Sequence, residues 1–466
     1  MYDLSVISDL SELQFAKILH EHLSPASPVQ SEELLFGREK QLRAITQALY
    51  AVGRTVFIFG DRGVGKTSLA HTVAYAHQSA AHDPVLLACE PQTTFADIMN
   101  DALDQLAPAK KAGSTSTSVN LKVGFKGLSL DTGATREWSA LDSKGVVANL
   151  NDLIRALFSI AKQRVDESTI IIIDEFDRIS DDTERAHFAD FIKQIGDQKI
   201  PVKFLFCGVA DSLQKLLGTH ESCYRYVEEI HLDNLKYEAR YEIIDTVAKA
   251  LGCQITDPYR YRIAAISDGF PHYIHRMCEK LFWQMYSDER QCTSPTTAHY
   301  REAVAQSVLS MEQHLKGAYE KAVMRDADGY EEVLWGMADH SDMIRSADDI
   351  YTSYLSIMNL SEGDDEPMDR KTVSARITAL KSKACGSILI PHRRGWYQFK
   401  ENIMRGYVRL RAEEQGVELA TEYAAASASG SESVWKQSSR RRRFGTRRED
   451  MRRTQYHDIE ETRRRD

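Results

Sequence analysis

Residues 60–67 read Gly60-Asp61-Arg62-Gly63-Val64-Gly65-Lys66-Thr67, three glycines spaced ahead of a lysine and a hydroxyl. Glycines let successive backbone N–H groups turn toward an anion, and a helix starting at the lysine adds the positive end of its dipole. Such a loop cradles polyphosphate: Lys66 is placed to reach the β- and γ-phosphates, and the Thr67 hydroxyl to ligate Mg²⁺. Gly60, Asp61, Arg62, Gly63, Val64, Gly65, Lys66, Thr67 and Ser68 are therefore the expected nucleotide-binding residues. A second cluster, Asp174-Glu175, closes the apolar run Ile170-Ile171-Ile172-Ile173. Two adjacent carboxylates divide two tasks: Asp174 completes the Mg²⁺ shell with Thr67, and Glu175 polarises an attacking water. Together the clusters predict binding and hydrolysis of ATP with Mg²⁺.

Three further groups bear on that chemistry. Phe206-Cys207-Gly208 ends a strand without Asn or Thr, and the following Asp211 and Ser212 read either as γ-phosphate sensors or as a helix cap. Arg225, ahead of the strand-like Glu229-Ile230-His231-Leu232, reads either as a catalytic finger reaching a neighbouring subunit's γ-phosphate or as a surface salt-bridge arginine. Asp177 reads as a solvated or structural acid and not as a third catalytic one.

These residues need a scaffold that brings strand ends together. The runs at residues 55–59, 85–88, 169–173 and 202–206 are short, apolar and β-branched, separated by helical periodicity, as expected of a parallel sheet covered on both faces. The expected fold is an α/β P-loop NTPase sheet with a helical lid domain and a C-terminal winged-helix-like domain. Its segments are an N-terminal helix and linker (1–35), an ATPase core (36–235) with a β-hairpin insertion near 114–143, a lid (236–318), a winged-helix-like unit (325–412) and a disordered arginine-rich tail (422–466).

In a chain of 466 residues, 42% hydrophobic and 27% charged residues exclude fibrous and wholly disordered classes and call for more than one domain. Seven cysteines without CxxC pairs or close histidine partners argue against a disulfide framework and a zinc site. The N-terminus lacks the basic-then-apolar pattern of a leader and no apolar run reaches bilayer length, so a cytoplasmic protein without a membrane segment is expected. The net charge of −9 coexists with a locally basic C-terminus, where Arg440-Arg441-Arg442-Arg443 and three further arginine clusters alternate with acids.

With Leu35-Phe36-Gly37-Arg38-Glu39 ahead of the loop and Gly269-Phe270-Pro271 beyond the core, the chain resembles AAA+ ATPases of the origin-recognition and STAND-type branch over about residues 36–280. The resemblance implies that Phe36, Gly37 and Arg38 line the base pocket and that the region of Pro271 touches nucleotide. It departs where the initiators carry arginine in the lid: His272 stands there, with Arg276 one turn later. A homo-oligomer is expected, with ATP at a subunit interface that Arg225 would reach.

Two functional classes follow. In one, an ATP-driven protein grips duplex DNA through the helix at 369–383, the hairpin tip Arg393-Arg394 and the basic tail. In the other, a STAND-like switch acts through a partner effector protein, since no effector domain is recognisable in the chain.

Overall fold

A computed structural model describes residues 7–24, 28, 31–78, 83–106, 122–123, 146–147, 150–163, 169–219, 221–288, 290, 292–325, 328–360 and 366–420. The arginine-rich tail and most of the expected hairpin insertion lie outside the described residues. The chain forms two compact units, one spanning Ala26–Ala239 and the other joining Met1–Pro25 to Arg240–Asp466.

The first helix, α1 (Glu12–His22), belongs to the second of these. The Ala26–Ala239 unit runs α2 (Glu39–Tyr50), β1 (Thr55–Gly60), α3 (Lys66–His77), β2 (Val85–Ala88), α4 (Phe95–Leu106), β3 (Lys122–Val123), β4 (Val146–Val147), α5 (Leu150–Gln163), β5 (Thr169–Asp174), α6 (Asp182–Gln198), β6 (Val202–Gly208), α7 (Ala210–Thr219) and β7 (Val227–Leu232). The five longer strands make one sheet in the order β2-β5-β6-β1-β7, with every neighbouring pair parallel. This is the α/β sheet of a P-loop NTPase, and all five carboxyl ends share one edge, where open sheets of this kind bind ligands.

Burial explains why the apolar runs are strands. Ile170, Ile171, Ile172 and Ile173 of β5 are all buried, and so is every residue of β6. Lys203, inside β6, donates from Nζ to the Ala51 carbonyl at 2.7 Å, and burial pulls its pKa down to about 8. The edge strand β7 alternates buried and exposed positions, so only its second half reads as a strand in sequence. Beneath the carboxyl edge, Phe176 packs edge-on against Phe57, Phe188 and Phe206 at 5.8, 5.2 and 5.4 Å between ring centroids. Of the expected hairpin, only Lys122 and Val123 are described, as β3, which pairs in parallel with β4.

The second unit continues with α8 (Tyr237–Ala250), α9 (Asp257–Ser267), α10 (Pro271–Tyr286), α11 (Thr297–Leu309), α12 (Gln313–Val323), α13 (Tyr330–Ala338), β8 (Arg345–Ser346), α14 (Ala347–Leu360), α15 (Arg370–Leu380), β9 (Leu389–Arg393), β10 (Trp396–Phe399) and α16 (Ile403–Glu414), α8 beginning just ahead of the boundary. Strands β8, β10 and β9 form a small antiparallel sheet. Residues 236–318 and 325–412 differ in pattern, yet buried ions join them. Arg405 of α16 grips Asp268 with two hydrogen bonds of 2.6 Å, and Arg409 adds one of 3.1 Å. Glu413, fully buried, accepts from Arg262 of α9 and from Tyr300 of α11. Phe15 of α1 completes the unit by stacking on Tyr286 at 4.3 Å.

Removing one partner of a buried ion pair strands the other charge in a low dielectric at a cost of about 3–5 kcal/mol. Asp268→Ala leaves both Arg405 and Arg409 without their carboxylate. The expected outcome is a calorimetric transition of the second unit lowered by that amount, with the transition of the Ala26–Ala239 unit unmoved.

Candidate active site

The loop between β1 and α3 owes its shape to its glycines. Gly63 and Gly65 have φ of +82° and +98°, in the left-handed region that side-chain-bearing residues avoid. A Cβ on Gly60 would lie 2.3 Å from the Leu232 carbonyl oxygen, so no other residue fits where the loop leaves the sheet. Lys66 opens α3 and folds its Nζ back to donate to the carbonyls of Gly60 and Asp61, at 3.0 and 2.8 Å. Burial lowers the Lys66 pKa, against the opposing pull of Cys207, Asp177, Asp174 and Asp61.

Strand order places β6 between β1 and β5, so the loop and Asp174 leave strands about 9–10 Å apart. Helix α3 closes that gap: the Thr67 hydroxyl donates to Asp174 Oδ2 at 2.6 Å. Asp174 Oδ1 accepts the Glu175 N–H at 2.7 Å. A hydroxyl and a carboxylate in contact are a hard oxygen pair of the kind Mg²⁺ takes while keeping several waters, so the residues present fit that ion.

Glu175 has φ of +54°, a left-handed conformation held by a side-chain-bearing residue, and such strain persists only where neighbours enforce it. The neighbour is Phe176, fully buried in the aromatic cluster one residue on. The short 3₁₀ turn Phe176–Arg178 then eclipses side chains three apart, and Arg178 Nη1 donates to Glu175 Oε2 at 2.7 Å. Asp177, expected to be a solvated or structural acid, accepts from Arg62 of the phosphate loop at 3.2 Å. The turn carrying the acids and the loop carrying the lysine are thus joined twice, by Thr67 to Asp174 and by Arg62 to Asp177.

Cys207, on the strand between the two clusters, is invisible as a site residue in sequence because a thiol in an apolar run carries no signal. It is buried, its Sγ lies 3.9 Å from the Lys66 carbonyl, and burial pushes its thiol well above the ordinary range. Asp211 and Ser212 fall within α7, which starts at Ala210, so neither stands ahead of the helix as its cap residue. Ser68 follows Thr67 in the first turn of α3 and is half-buried.

Arg38 is buried and donates from Nη2 to the Val64 carbonyl at 2.9 Å, while Phe36 is half-buried. Arg225 is exposed, with its guanidinium 5.1 Å from the Tyr226 ring, two residues before β7. Because β7 and β1 are parallel with Val227 beside Thr55, Arg225 lies at the amino edge of the sheet, opposite Lys66 and Asp174. Pro271 opens α10 in the other unit after Gly269 with φ of +78°. There His272 lies 2.9 Å from Glu312, and Arg276 donates to the Ser310 carbonyl at 2.9 Å.

The fold also supplies a histidine neighbour that the spacing of the cysteines does not suggest. Asp288, Cys292 and His299 bring one donor atom each within 4.8 Å of one another. Hydrogen bonds explain the arrangement: His299 Nδ1 accepts from the Thr296 N–H at 3.2 Å, which leaves the proton on Nε2, 2.8 Å from Asp288 Oδ2. The cluster ties the cap of α11 to the end of α10.

Residues 34–205 match the family model of the AAA ATPase domain. No curated protein matches the chain. Similar solved structures include the Walker-type ATPase of Pyrococcus abyssi, at 14% identity over 82% of this chain and 98% of that one with a TM-score of 0.48. Cdc6p of Pyrobaculum aerophilum is 14% identical over 85% of this chain and 98% of its own, with a TM-score of 0.41. The ORC1 protein of Aeropyrum pernix, solved in complex with DNA, is 15% identical over 82% and 94%, with a TM-score of 0.39. Among the described residues no helix is long and apolar enough to cross a membrane. Matched by the family model and carrying the glycine loop on a parallel sheet, residues 34–205 are similar to the AAA ATPase domain.

Proposed function

We propose that the chain binds ATP with Mg²⁺, hydrolyses it, and couples nucleotide state to homo-oligomerisation and to duplex DNA binding. The observation that carries the ATPase reading is the 2.6 Å contact of Thr67 with Asp174, which brings the phosphate loop and the acidic strand to one point. Lys66 turns from the Gly60 and Asp61 carbonyls to the phosphates, and Glu175 orients and deprotonates the attacking water. Mg²⁺ held by Thr67 and Asp174 would neutralise charge on the β- and γ-phosphates. Arg225, at the amino edge, serves a neighbouring subunit's site and not its own. Phe36 lines the base pocket and Pro271 carries the lid's response to nucleotide.

DNA binding is supported by the order α13, β8, α14, α15, β9, β10, which is that of a winged helix. Arg393 at the end of β9 and Arg394 in the turn before Gly395, with φ of +78°, are exposed, and Arg393 stacks over Trp396 at 4.1 Å. One observation favours the second reading, a STAND-like switch acting through an effector protein. Several cations of the third segment are turned to the chain itself: Arg370 pairs with Asp348, Arg376 donates to the Asp328 carbonyl, and Lys381 lies over Tyr397.

Lys66→Ala is expected to abolish nucleotide binding, whereas Glu175→Gln binds ATP but turns it over about 10²–10⁴-fold more slowly, the usual worth of a general base. Steady-state hydrolysis and equilibrium binding of ATP check both, and wild-type turnover in either variant would sink the assignment. Arg225→Ala is expected to keep ATP affinity and lose turnover. Mixing it with Lys66→Ala subunits should restore part of the activity, because an intact loop then meets an intact finger. Failure despite co-assembly would remove the shared site. For DNA, anisotropy on a mixed-sequence duplex is expected to show affinity that falls steeply with salt. Removing residues 423–466 should flatten the slope, and Arg393→Ala with Arg394→Ala should weaken what remains. Absence of binding at low salt in every nucleotide state would leave the switch reading.

A further inference from the structure

A loop whose N–H groups face an anion has carbonyls that face the protein, and each peptide plane fixes the two together, because N–H and C=O of one trans peptide point in opposite directions. The Val64 carbonyl and the Gly65 N–H are one such unit. Gly65 is left-handed and free of a side chain, so nothing in its own chemistry selects the direction of that plane. What holds it is Arg38, whose side chain is only 5% exposed and whose Nη2 lies 2.9 Å from Val64 O.

The sequence around Arg38 is built for this reach. Gly37 has φ of +68°, and a Cβ there would meet the Ala239 Cβ at 2.7 Å, so the chain turns tightly and α2 starts at Glu39. Leu42 N–H returns to the Arg38 carbonyl at 2.9 Å, anchoring the backbone from which the side chain enters the interior. Burial drags the guanidinium down to about 10, with Asp233 and Glu39 opposing, so the site spends desolvation to keep a cation there.

We propose that Arg38 is a positioning residue for the phosphates: by holding the Val64 carbonyl it aims the Gly65 N–H into the loop, and it acts on nucleotide through the loop and not through the base. The inference rests on the ATPase reading above but assigns Arg38 differently from the base-pocket role that the family resemblance implies.

The test separates phosphate from base by using inorganic tripolyphosphate, which has no base, beside ATP and GTP, each titrated calorimetrically with Mg²⁺ into the full chain. Arg38→Ala is expected to weaken ATP and tripolyphosphate by a common factor of about ten or more, the worth of a buried charge-assisted hydrogen bond. The preference for ATP over GTP should stay where it is, and Arg38→Lys should recover part of the loss. Phe36→Ala, by contrast, should weaken ATP and spare tripolyphosphate. The inference is overturned if Arg38→Ala weakens ATP alone or shifts the ATP to GTP ratio, which is the mark of a base contact. It is also overturned if only stoichiometry or melting temperature falls while the Kd of the folded fraction holds, which is the mark of a merely structural role. Should Arg38→Ala fail to fold, Arg38→Lys carries the same comparison. Wild-type protein that takes ATP but not tripolyphosphate would overturn it as well, and wild-type protein that takes neither would bring down the ATPase reading and this inference with it.

Discussion

A loop that presents N–H groups to an anion must turn its carbonyls inward, and buried carbonyls need donors. The carboxyl edge of the five-stranded sheet is organised around that constraint. Lys66 supplies the carbonyls of Gly60 and Asp61, and Arg38 supplies that of Val64. Both donors are cations, so the same groups that satisfy the loop make its surroundings positive, which suits a polyphosphate. Three glycines permit the shape, and Arg38, arriving from the residue ahead of α2, holds the Val64 peptide within it.

The acidic half of the site solves the complementary problem of presenting a carboxylate without letting it wander. Asp174 ends a fully buried strand and has both oxygens occupied, one by Thr67 and one by the Glu175 amide. Glu175 cannot continue the strand because Phe176 must enter the aromatic cluster, and the left-handed turn between them aims its side chain outward. The packing of phenylalanines under the sheet edge thus determines where the Glu175 carboxylate stands. Strain at Glu175, of order 1–3 kcal/mol, is offset by burial of Phe176.

The second unit uses charge differently. Asp268 and Glu413 are buried carboxylates that receive arginines from distant parts of the chain, and Asp268 stands immediately before the Gly269-Phe270-Pro271 segment. Such pairs contribute little net stability compared with apolar packing, but they specify one arrangement, since any slip leaves a charge unpaired. The residues beyond α12 are thereby bound to the helices on either side of Gly269-Phe270-Pro271.

Much of the ATPase unit is legible in the sequence because its information is local. Glycine spacing, a lysine and hydroxyl at a helix start, and an apolar run closing on two acids each depend on residues within one loop or one strand, so residue types and spacing alone single out residues 60–67, Asp174 and Glu175. Four of the five sheet strands are legible likewise, because strands covered on both faces are apolar throughout, while the first half of the edge strand β7 is not, because its exposed positions break the run. Tertiary structure decided what depends on residues far apart in the chain. That Arg38 meets Val64, that Asp177 meets Arg62, that Cys207 stands between the loop and Asp174, and that Arg225 lies at the opposite edge of the sheet from Lys66 and Asp174 all follow from strand order and helix placement. The physical reason is reach: local pattern specifies which backbone shape a segment adopts, whereas a long side chain's partner is whatever the packed sheet brings within hydrogen-bonding distance.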